Sequence, residues 1–452
     1  MRLKYLLPVL LAAGLSTAAL ANPYETTLPN GLRIIVKEDH RAPTAVQMVW
    51  YRIGSTDEVD GASGVAHVLE HMMFKGTPSV GPGEFNKRVA AAGGRDNAFT
   101  SRDYTAYFQQ VPKEKLEDVM LLEADRMRHL TVEAKEFEQE IKVVMEERRM
   151  RTDDNPQAKL FEQMNAVAFQ AHPYRRPIIG WMNDLETMTA ADAKAWYDTW
   201  YVPNNAYVVI TGDVDHKAVF ALAEKYYGPL EGRPLPGRKQ QIEPAQEGTR
   251  RVNVKAPAEL PVLIMGYKAP ILRDIDKDSD PYALQMLAAI LDGHDAARFN
   301  KKLVREDKVA LSAGIDYDNT ARGPGMLYLH GSPSEGRTVA ELEAALRAEI
   351  ARVQQAGVSA AELKRAKAQL LASEVYKLDS MFGQAMEIGQ IEAVGLPYQK
   401  LDRMLEKLQK VSAADVQAVA KKFFNDDALT IGVLDPQPLD GKPRRPAAPG
   451  RH

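Results

Sequence analysis

Apolar and polar positions in the first half of the chain predict a mixture of strands and helices. The segments 31–38 (GLRIIVKE), 44–55 (TAVQMVWYRIGS) and 96–111 (DNAFTSRDYTAYFQQV) carry many β-branched and aromatic residues, which favour strands. Long helical segments follow near 114–129 and 134–151. Because these elements do not alternate regularly as βαβ units, the expected class is α+β, an antiparallel-rich sheet covered by helices.

The same pattern occurs twice along the chain. Segments that begin at Thr189 and Ser412 each predict a capped helix, an aromatic pair (200–201 and 423–424), a polar turn and a buried strand. A repeat with so long a period indicates duplicated domains rather than a solenoid. We therefore expect two homologous domains.

Composition places the domain boundaries. Residues 231–248 are rich in proline, glycine and charge, without a hydrophobic period, and are predicted to be a linker. This leaves a first domain at 22–230 and a second at 249–434. Residues 435–452 are predicted to be a disordered tail.

The first 21 residues have the three parts of a secretory signal peptide. Arg2 and Lys4 precede an apolar run from Tyr5 to Leu15, and small residues then lead to Ala21. We expect cleavage after Ala21 and export to the periplasm. An uncleaved anchor is the alternative, but the run is short for a spanning helix, and no other segment is apolar enough to cross a membrane.

Charge and cysteine content exclude several function classes. The formal net charge is −3, which gives no indication of a nucleic acid or a membrane surface as partner. The chain has no cysteine, so disulfides, thiol catalysis and cysteine–zinc sites are excluded.

Two histidines and a glutamate lie within five residues of an apolar helical segment, 64–76 (GVAHVLEHMMFKG). On a helix, His67 and His71 project about 40° apart, with Glu70 about 60° to one side of His67. Two imidazoles on one face can bind one zinc ion while the carboxylate reaches a water molecule beside it. H-x-x-E-H is a zinc peptidase signature, the reverse of the commoner H-E-x-x-H. The alternative is two core histidines with a surface glutamate.

A third metal ligand is expected, because catalytic zinc usually takes three protein ligands. Glu140, Val143, Val144 and Glu147 fall at i, i+3, i+4 and i+7, the stripe of a helix that faces a core, whereas Glu146 projects to the polar side. Carboxylates inside an apolar stripe need cationic partners. From the pattern alone, Glu140 and Glu147 are either part of a metal site or a buried salt bridge.

His67-x-x-Glu70-His71 followed by Glu147 resembles the pitrilysin–insulinase zinc peptidases, in the branch that contains the mitochondrial processing peptidase. The resemblance covers nearly all of the chain after residue 21. Its other motifs are HVLEHMMFKGT (67–77), DNAFTSRDYTAYF (96–108), HPYRRPIIGWMNDL (172–185) and WYVPNNAYVVITGDVD (200–215).

The resemblance implies a single Zn²⁺ and a role for each residue around it. His67, His71 and Glu147 would bind the metal, Glu70 would be the general base, and Glu140 would orient a ligand. It also implies a clamshell of two similar α+β domains around a chamber.

Substrate binding is implied as well. Asn97 and Ala98 would begin the strand against which an extended peptide pairs, and Arg305 belongs to an arginine–tyrosine pair that helps to bind the substrate.

The second half departs from the family pattern. Tyrosine is expected six or seven residues after Arg305, where this chain has Leu311 and Ser312, and Tyr317 lies too far along. The second half also lacks an H-x-x-E-H motif; its helix region contains only His294, for which a structural role is expected.

These features together predict a zinc endopeptidase that acts on peptides and is the metal-bearing subunit of a heterodimer. The partner would be a related, metal-free chain with the arginine–tyrosine pair, or else a second copy in a homodimer. The alternative function is a non-catalytic scaffold in a larger assembly.

Overall fold

A computed structural model describes residues 23–439. The predicted signal peptide, 1–21, and the last part of the predicted tail, 440–452, lie outside the described residues.

The described strands form two sheets. The first sheet has six strands in the order β1-β2-β6-β3-β5-β4. Its strands are β1 (Tyr24–Thr27), β2 (Arg33–Glu38), β3 (Thr44–Tyr51), β4 (Arg95–Thr100), β5 (Thr105–Pro112) and β6 (Ala206–Gly212). The second sheet has five strands in the order β7-β11-β8-β10-β9. Its strands are β7 (Arg250–Pro257), β8 (Val262–Ala269), β9 (Ala310–Tyr317), β10 (Gly325–Pro333) and β11 (Leu429–Gln437).

The five strands of the second sheet repeat the strand order and pairing directions of β2 to β6 in the first sheet. In both sheets the first and last strands of the repeat pair in parallel, and the other neighbours are antiparallel. A helix with a capping box precedes each closing strand, with Thr189 and Asp192 before β6 and Ser412 and Asp415 before β11. The predictions of an α+β class and of two similar domains are confirmed.

Helices cover both sheets. In the first half they are α1 (Val65–Met72), α2 (Glu84–Ala91), α3 (Leu116–His129), α4 (Ala134–Arg148), α5 (Pro156–Ala168), α6 (Met182–Thr187), α7 (Ala190–Trp200) and α8 (His216–Tyr227). In the second half they are α9 (Asp280–Asp292), α10 (Val339–Ala356), α11 (Ala360–Asp379), α12 (Met381–Ala393), α13 (Leu401–Lys410) and α14 (Ala413–Phe423). Single π-helical segments lie at Arg149–Asp153 and Phe299–Glu306. Within the described residues, no helix combines the length and apolar character needed to cross a bilayer.

Each half contributes one helix to the sheet of the other half. Helix α5 packs on β7 and β11 through Leu160 and Met164. Helix α12 packs on β3 and β6, where the Tyr207 hydroxyl donates to the Gly389 carbonyl at 2.7 Å. A Cβ atom at Gly389 would collide with the Trp50 indole, so glycine allows this close packing. The predicted domains, 22–230 and 249–434, are therefore separate along the sequence, but each packs a helix against the sheet of the other.

Strand β3 is buried on both faces because of this exchange. Ala45, Val49 and Tyr51 point into the core beneath the first-half helices, and Val46, Met48 and Trp50 point into a core shared with the second half. The two halves are thus joined by a common hydrophobic core and not only by polar contacts at the surface.

The predicted tail begins too early. Asp435, Pro436 and Gln437 complete β11 and pair with β7, so the boundary at 435 is wrong. On the other side, pairing with β8 stops at Leu434, which leaves Pro436 on a one-sided stretch of strand where its missing N–H is tolerated.

The linker contains neither helix nor strand, and Glu243 is one of the linker residues that attach it to the first half. Glu243 accepts backbone hydrogen bonds from Gln170, Ala171 and His172 at 2.8, 3.0 and 2.9 Å. These bonds hold the pKa of the Glu243 carboxyl below its usual range, although burial opposes them.

Candidate metal centre

Helix α1 begins at a glycine that is packed against another segment of the chain. Gly64 has φ +89°, and a Cβ atom there would lie 2.5 Å from the Ile179 carbonyl oxygen. The buried Glu58 carboxyl accepts the first free N–H groups of the helix, from Gly64 at 2.9 Å and Ala66 at 3.0 Å. Burial raises the pKa of Glu58 to about 8, against the effect of these hydrogen bonds. The start of α1 is therefore fixed from two sides.

The structure brings together the three residues expected to bind metal. The Nε2 atom of His71 lies 3.3 Å from Glu147, and that of His67 lies 3.9 Å from it. One ligand atom from each residue lies within 4.8 Å of the other two. Two imidazoles and a carboxylate are a donor set of catalytic zinc sites and leave one position open, so these residues fit the metal.

Glu140 holds the opposite side of the His71 ring. The Nδ1 atom of His71 lies 2.8 Å from Oε1 of Glu140, whose other oxygen pairs with Lys75. A carboxylate on the far ring nitrogen is the arrangement that orients metal-binding histidines. Glu140 thus forms a buried salt bridge with Lys75, and Glu147 faces both histidines and also pairs with Arg151 at 2.6 Å.

Mutual interactions set the ionisation of this cluster in the metal-free chain. Burial acts to lower the pKa of His71, but its bonds to Glu140 and Glu147 prevail and raise it to about 9. Burial opposes the downward shift of Glu147, whose pKa falls to about 2 beside His71 and His67. The pKa of Glu140 is lowered by His71 and Lys75, again against burial. The carboxylates are therefore ionised, as metal ligands must be.

Glu70 lies in the same cavity, beside the end of an edge strand. Its carboxylate accepts a hydrogen bond from the Thr100 hydroxyl at 2.5 Å. Burial raises the pKa of Glu70, while the Thr100 bond and the His71 charge oppose this rise. Sequence reasoning missed Thr100, although it lies in the strand segment that carried the resemblance. The sequence did contain a signal for Thr100. It lies two residues after Ala98 on the predicted strand, and residues two apart share a strand face.

A cavity of about 520 Å³ joins these groups to the predicted peptide strand. Its lining includes His67, Glu70, His71, Glu147, Asn97 and Ala98. Strand β4 pairs with β5 on one side, and no described strand covers its other side. The open edge of β4 thus borders the group formed by His67, His71 and Glu147, called here the metal cluster.

Comparison with known proteins identifies the family. Residues 33–181 match the family model "Insulinase (Peptidase family M16)", and residues 187–370 match "Peptidase M16 inactive domain". The Helicobacter pylori protein named zinc protease PqqE is 30% identical over 423 residues, which cover 91% of this chain and 92% of the relative. The chain belongs to the M16 peptidase family.

Solved peptidase structures share the fold over almost the whole chain. A protease structure from Helicobacter pylori has a TM-score of 0.87 and 29% identity, covering 92% of this chain and all of that one. A putative M16-like peptidase from Alicyclobacillus acidocaldarius has a TM-score of 0.80 at 21% identity, covering 92% and 98%. The structure from Helicobacter pylori supports a relationship in both sequence and fold, and the structure from Alicyclobacillus acidocaldarius supports the fold alone.

The second half of this M16 chain brings no predicted residue into the cavity. Arg305 lies exposed on the π-helical segment, away from the cavity lining. Leu311 is 57% exposed on β9, and the Tyr317 hydroxyl donates to the Pro270 carbonyl. The Nδ1 atom of His294 accepts from the Ala296 N–H at 3.0 Å, which is the expected structural role.

The buried face predicted for α4 is correct for Glu140 and Glu147 and wrong for Val143. Glu140, Val144 and Glu147 are buried, but Val143 is 50% exposed. The buried face is centred on Phe137, Ile141 and Val144 rather than on the arc through Val143. Glu146 points outward as predicted and pairs with Arg149 at 3.0 Å.

Proposed function

We propose that the protein is a zinc-dependent endopeptidase that cleaves peptides or unfolded polypeptides. The observation that carries this proposal is the meeting of His67, His71 and Glu147 in one cavity with the carboxylate of Glu70. Its relatives are named zinc proteases, which supports the same metal here.

Each group in the cluster would have one task. A bound zinc ion would act as a Lewis acid toward the scissile carbonyl and would acidify the attacking water. His67, His71 and Glu147 would hold the metal, and Glu140 would fix the orientation of His71. Glu70 would take the proton of the attacking water and pass it to the leaving amine. The Thr100 hydroxyl would keep that carboxylate in place.

The open edge of β4 supports an extended substrate. A peptide that adds to this edge would pair its backbone with that of Asn97 and Ala98, next to the metal cluster. Folded proteins rarely present a free extended segment, so the proposed substrates are peptides and unfolded chains.

The second half supports the proposal that this chain holds the metal while another subunit supplies groups that bind the substrate. It matches the inactive-domain model, carries leucine and serine where the family's tyrosine is expected, and leaves Arg305 outside the cavity. We propose a related, metal-free partner that contributes substrate-binding groups, with a homodimer as the other outcome. The signal-like residues 1–21 support a proposed periplasmic location.

Zinc content and peptide cleavage, measured on the purified chain from residue 22, test the proposal. We expect about one zinc ion per chain, removal of zinc by His67→Ala or His71→Ala, and full zinc with a rate loss of roughly 10²–10⁴ in Glu70→Gln. A chain that neither binds zinc nor cleaves any peptide would contradict the peptidase and favour the non-catalytic scaffold.

A further inference from the structure

The cavity beside the metal cluster has an excess of arginines in its wall. Its lining contains the arginines Arg102, Arg151, Arg175 and Arg176 and the glutamates Glu70, Glu147 and Glu162. Buried and half-buried charges need partners, so each arginine should be matched with an anion.

Three of these arginines have carboxylate partners. Arg175 and Arg176 both pair with Asp60, at 2.6 and 2.8 Å. Arg151 pairs with Glu147 at 2.6 Å. Glu162 is not available to the fourth arginine, because Arg148, from outside the lining, binds both of its oxygens.

Arg102 has no carboxylate within 4.0 Å among the described residues, although it is half-buried. Its guanidinium lies over the Tyr174 ring, 4.9 Å from the ring centroid, and it also interacts with the Tyr328 hydroxyl. The adjacent Asp103 is already engaged, since it accepts from the Tyr174 hydroxyl at 2.6 Å and from the Arg322 N–H at 2.9 Å. A guanidinium carries five N–H donors, and it can bind a carboxylate with two hydrogen bonds.

The backbone at Arg102 is fixed. The Thr56 N–H donates to its carbonyl at 2.9 Å, and a Cβ atom at Gly54 would lie 2.6 Å from the same oxygen. The turn after β4 is therefore packed directly on Gly54, and the Arg102 side chain starts from a defined position.

We propose that Arg102 forms a subsite for a carboxylate of the bound peptide, which makes it a specificity-determining residue. This inference rests on the proposed function for the presence of a peptide on β4. The carboxylate would be an aspartate or glutamate side chain or the C-terminus of a short fragment.

The short chain separation between Arg102 and Thr100 places this subsite close to the reaction. Arg102 follows Thr100 by two residues, and Thr100 contacts the proposed base Glu70. Two residues span at most about 7 Å of backbone, and less in the turn in which Arg102 lies. The preferred carboxylate should therefore lie on one side of the scissile bond, within two or three residues of it.

Cleavage of matched peptides by the zinc-loaded full chain tests the subsite. Short internally quenched peptides would carry glutamate or glutamine at each position near the cut, with the C-terminus free or amidated. We expect kcat/KM to favour the carboxylate by roughly 10- to 100-fold at one position, since a hydrogen bond to a charged group is of that strength. An effect confined to the glutamate series identifies a side chain, and one confined to the free C-terminus identifies a peptide end.

Variants of the arginine assign the preference to this residue. In Arg102→Gln the ratio of glutamate to glutamine kcat/KM should fall to about 1, in Arg102→Lys it should be intermediate, and Arg102→Glu should favour lysine instead. Arg175→Gln is the matched control, because that arginine lies in the same wall but pairs with Asp60, and it should keep the wild-type ratio.

Binding separates failure of the subsite from failure of the peptidase. Fluorescence anisotropy of the same peptides on the Glu70→Gln chain measures the carboxylate preference without cleavage. Arg102-dependent binding of acidic peptides that the wild type never cleaves would support the subsite and contradict the proposed peptidase. Equal cleavage and equal binding by the wild-type chain, both for every glutamate and glutamine pair and for every free and amidated C-terminus, would overturn the subsite alone.

Discussion

The imidazole of His71 lies between two carboxylates of one helix, with Nδ1 2.8 Å from Glu140 and Nε2 3.3 Å from Glu147. Glu140 and Glu147 are seven residues apart on α4 and therefore share one helix face. This geometry fixes the ring plane and favours a proton on the nitrogen that faces Glu140, so a metal that binds the other nitrogen would displace only the proton there.

Glu140→Gln should weaken zinc binding without removing it. The amide can still accept from His71, but it loses its charge and its pairing with Lys75, and loss of such a supporting carboxylate typically costs about 10- to 100-fold in metal affinity. Titration of the apo-protein with zinc against a chromophoric chelator measures the change. Glu138→Gln, at an exposed position of the same helix, is the control. Equal affinity in both variants would contradict a role for Glu140.

Two adjacent glutamates should differ sharply in their effect on the metal. Glu147→Gln should lose most zinc affinity, because the carboxylate that faces both histidines is gone. Glu146→Gln should retain zinc, since Glu146 is exposed and pairs only with Arg149 among the described residues. The zinc content of both purified variants is the measurement, and the reverse order would mean that the ligand is misassigned.

Gly64→Ala should destabilise the fold more than Gly61→Ala does. Both glycines have φ near +90°, where a side chain costs about 1–2 kcal/mol. Gly64 is also closely packed, so overpacking should add about 1–3 kcal/mol there, whereas no atom of residues 23–439, apart from the adjacent residues, lies within 4 Å of a Cβ at Gly61. Urea unfolding of the two variants gives the comparison. Equal losses would show that the contact with Ile179 relaxes freely.

His172 should make the fold less stable in mild acid. Burial lowers its pKa to about 4, although Asp103 and Glu243 oppose the shift, and the unfolded value is near 6.5. Between these values the unfolded chain binds more protons than the folded chain, so the free energy of unfolding falls as the pH falls from about 6.5 to about 4.

Urea midpoints over this pH range measure the effect of His172. His172→Asn, which keeps an acceptor for the Tyr174 N–H, should show a shallower decline than the wild type. His129→Asn, at an exposed position, should follow the wild-type curve. Parallel curves for all three proteins would exclude His172 as the source.

A partner subunit should raise the rate of peptide cleavage. The cavity receives no predicted substrate-binding group from the second half, and the loss of one donor to a developing oxyanion typically costs about 10²–10³ in rate. We expect the isolated chain to hold zinc but to cleave slowly, and the related metal-free chain to increase kcat/KM by at least about tenfold. Full activity alone, unchanged by the partner, would show that the chain needs no second subunit.

The H-x-x-E-H part of the candidate site was predictable because its signal is local in sequence, whereas the ligand role of Glu147 was implied only by the family resemblance. His67 and His71 lie within one helical turn of each other, and Glu140 and Glu147 stand out as carboxylates at buried helical positions. The repeated segments at Thr189 and Ser412 likewise indicated two similar sheets, since capping residues and buried strands leave a direct pattern.

Other features were not predictable because periodicity shows which face of a helix is apolar and not what covers it. Nothing in the sequence of α5 indicates that Leu160 and Met164 pack on the second sheet. The Thr100 bond to Glu70 depends on how the edge strand lies against α1. The exposure of Val143 depends on the rotation of α4, which pattern alone fixes only to within one residue.

The exchange of α5 and α12 has a consequence for how the protein is made. All strands of the first sheet are present once residue 212 has left the ribosome, yet the face that carries Trp50 and Tyr207 stays uncovered until residue 393 follows. The first half therefore cannot complete its interior early in synthesis, as a separate N-terminal domain would. The duplicated chain is expected to fold as one cooperative unit, late, with its apolar surfaces exposed until nearly the whole sequence is available.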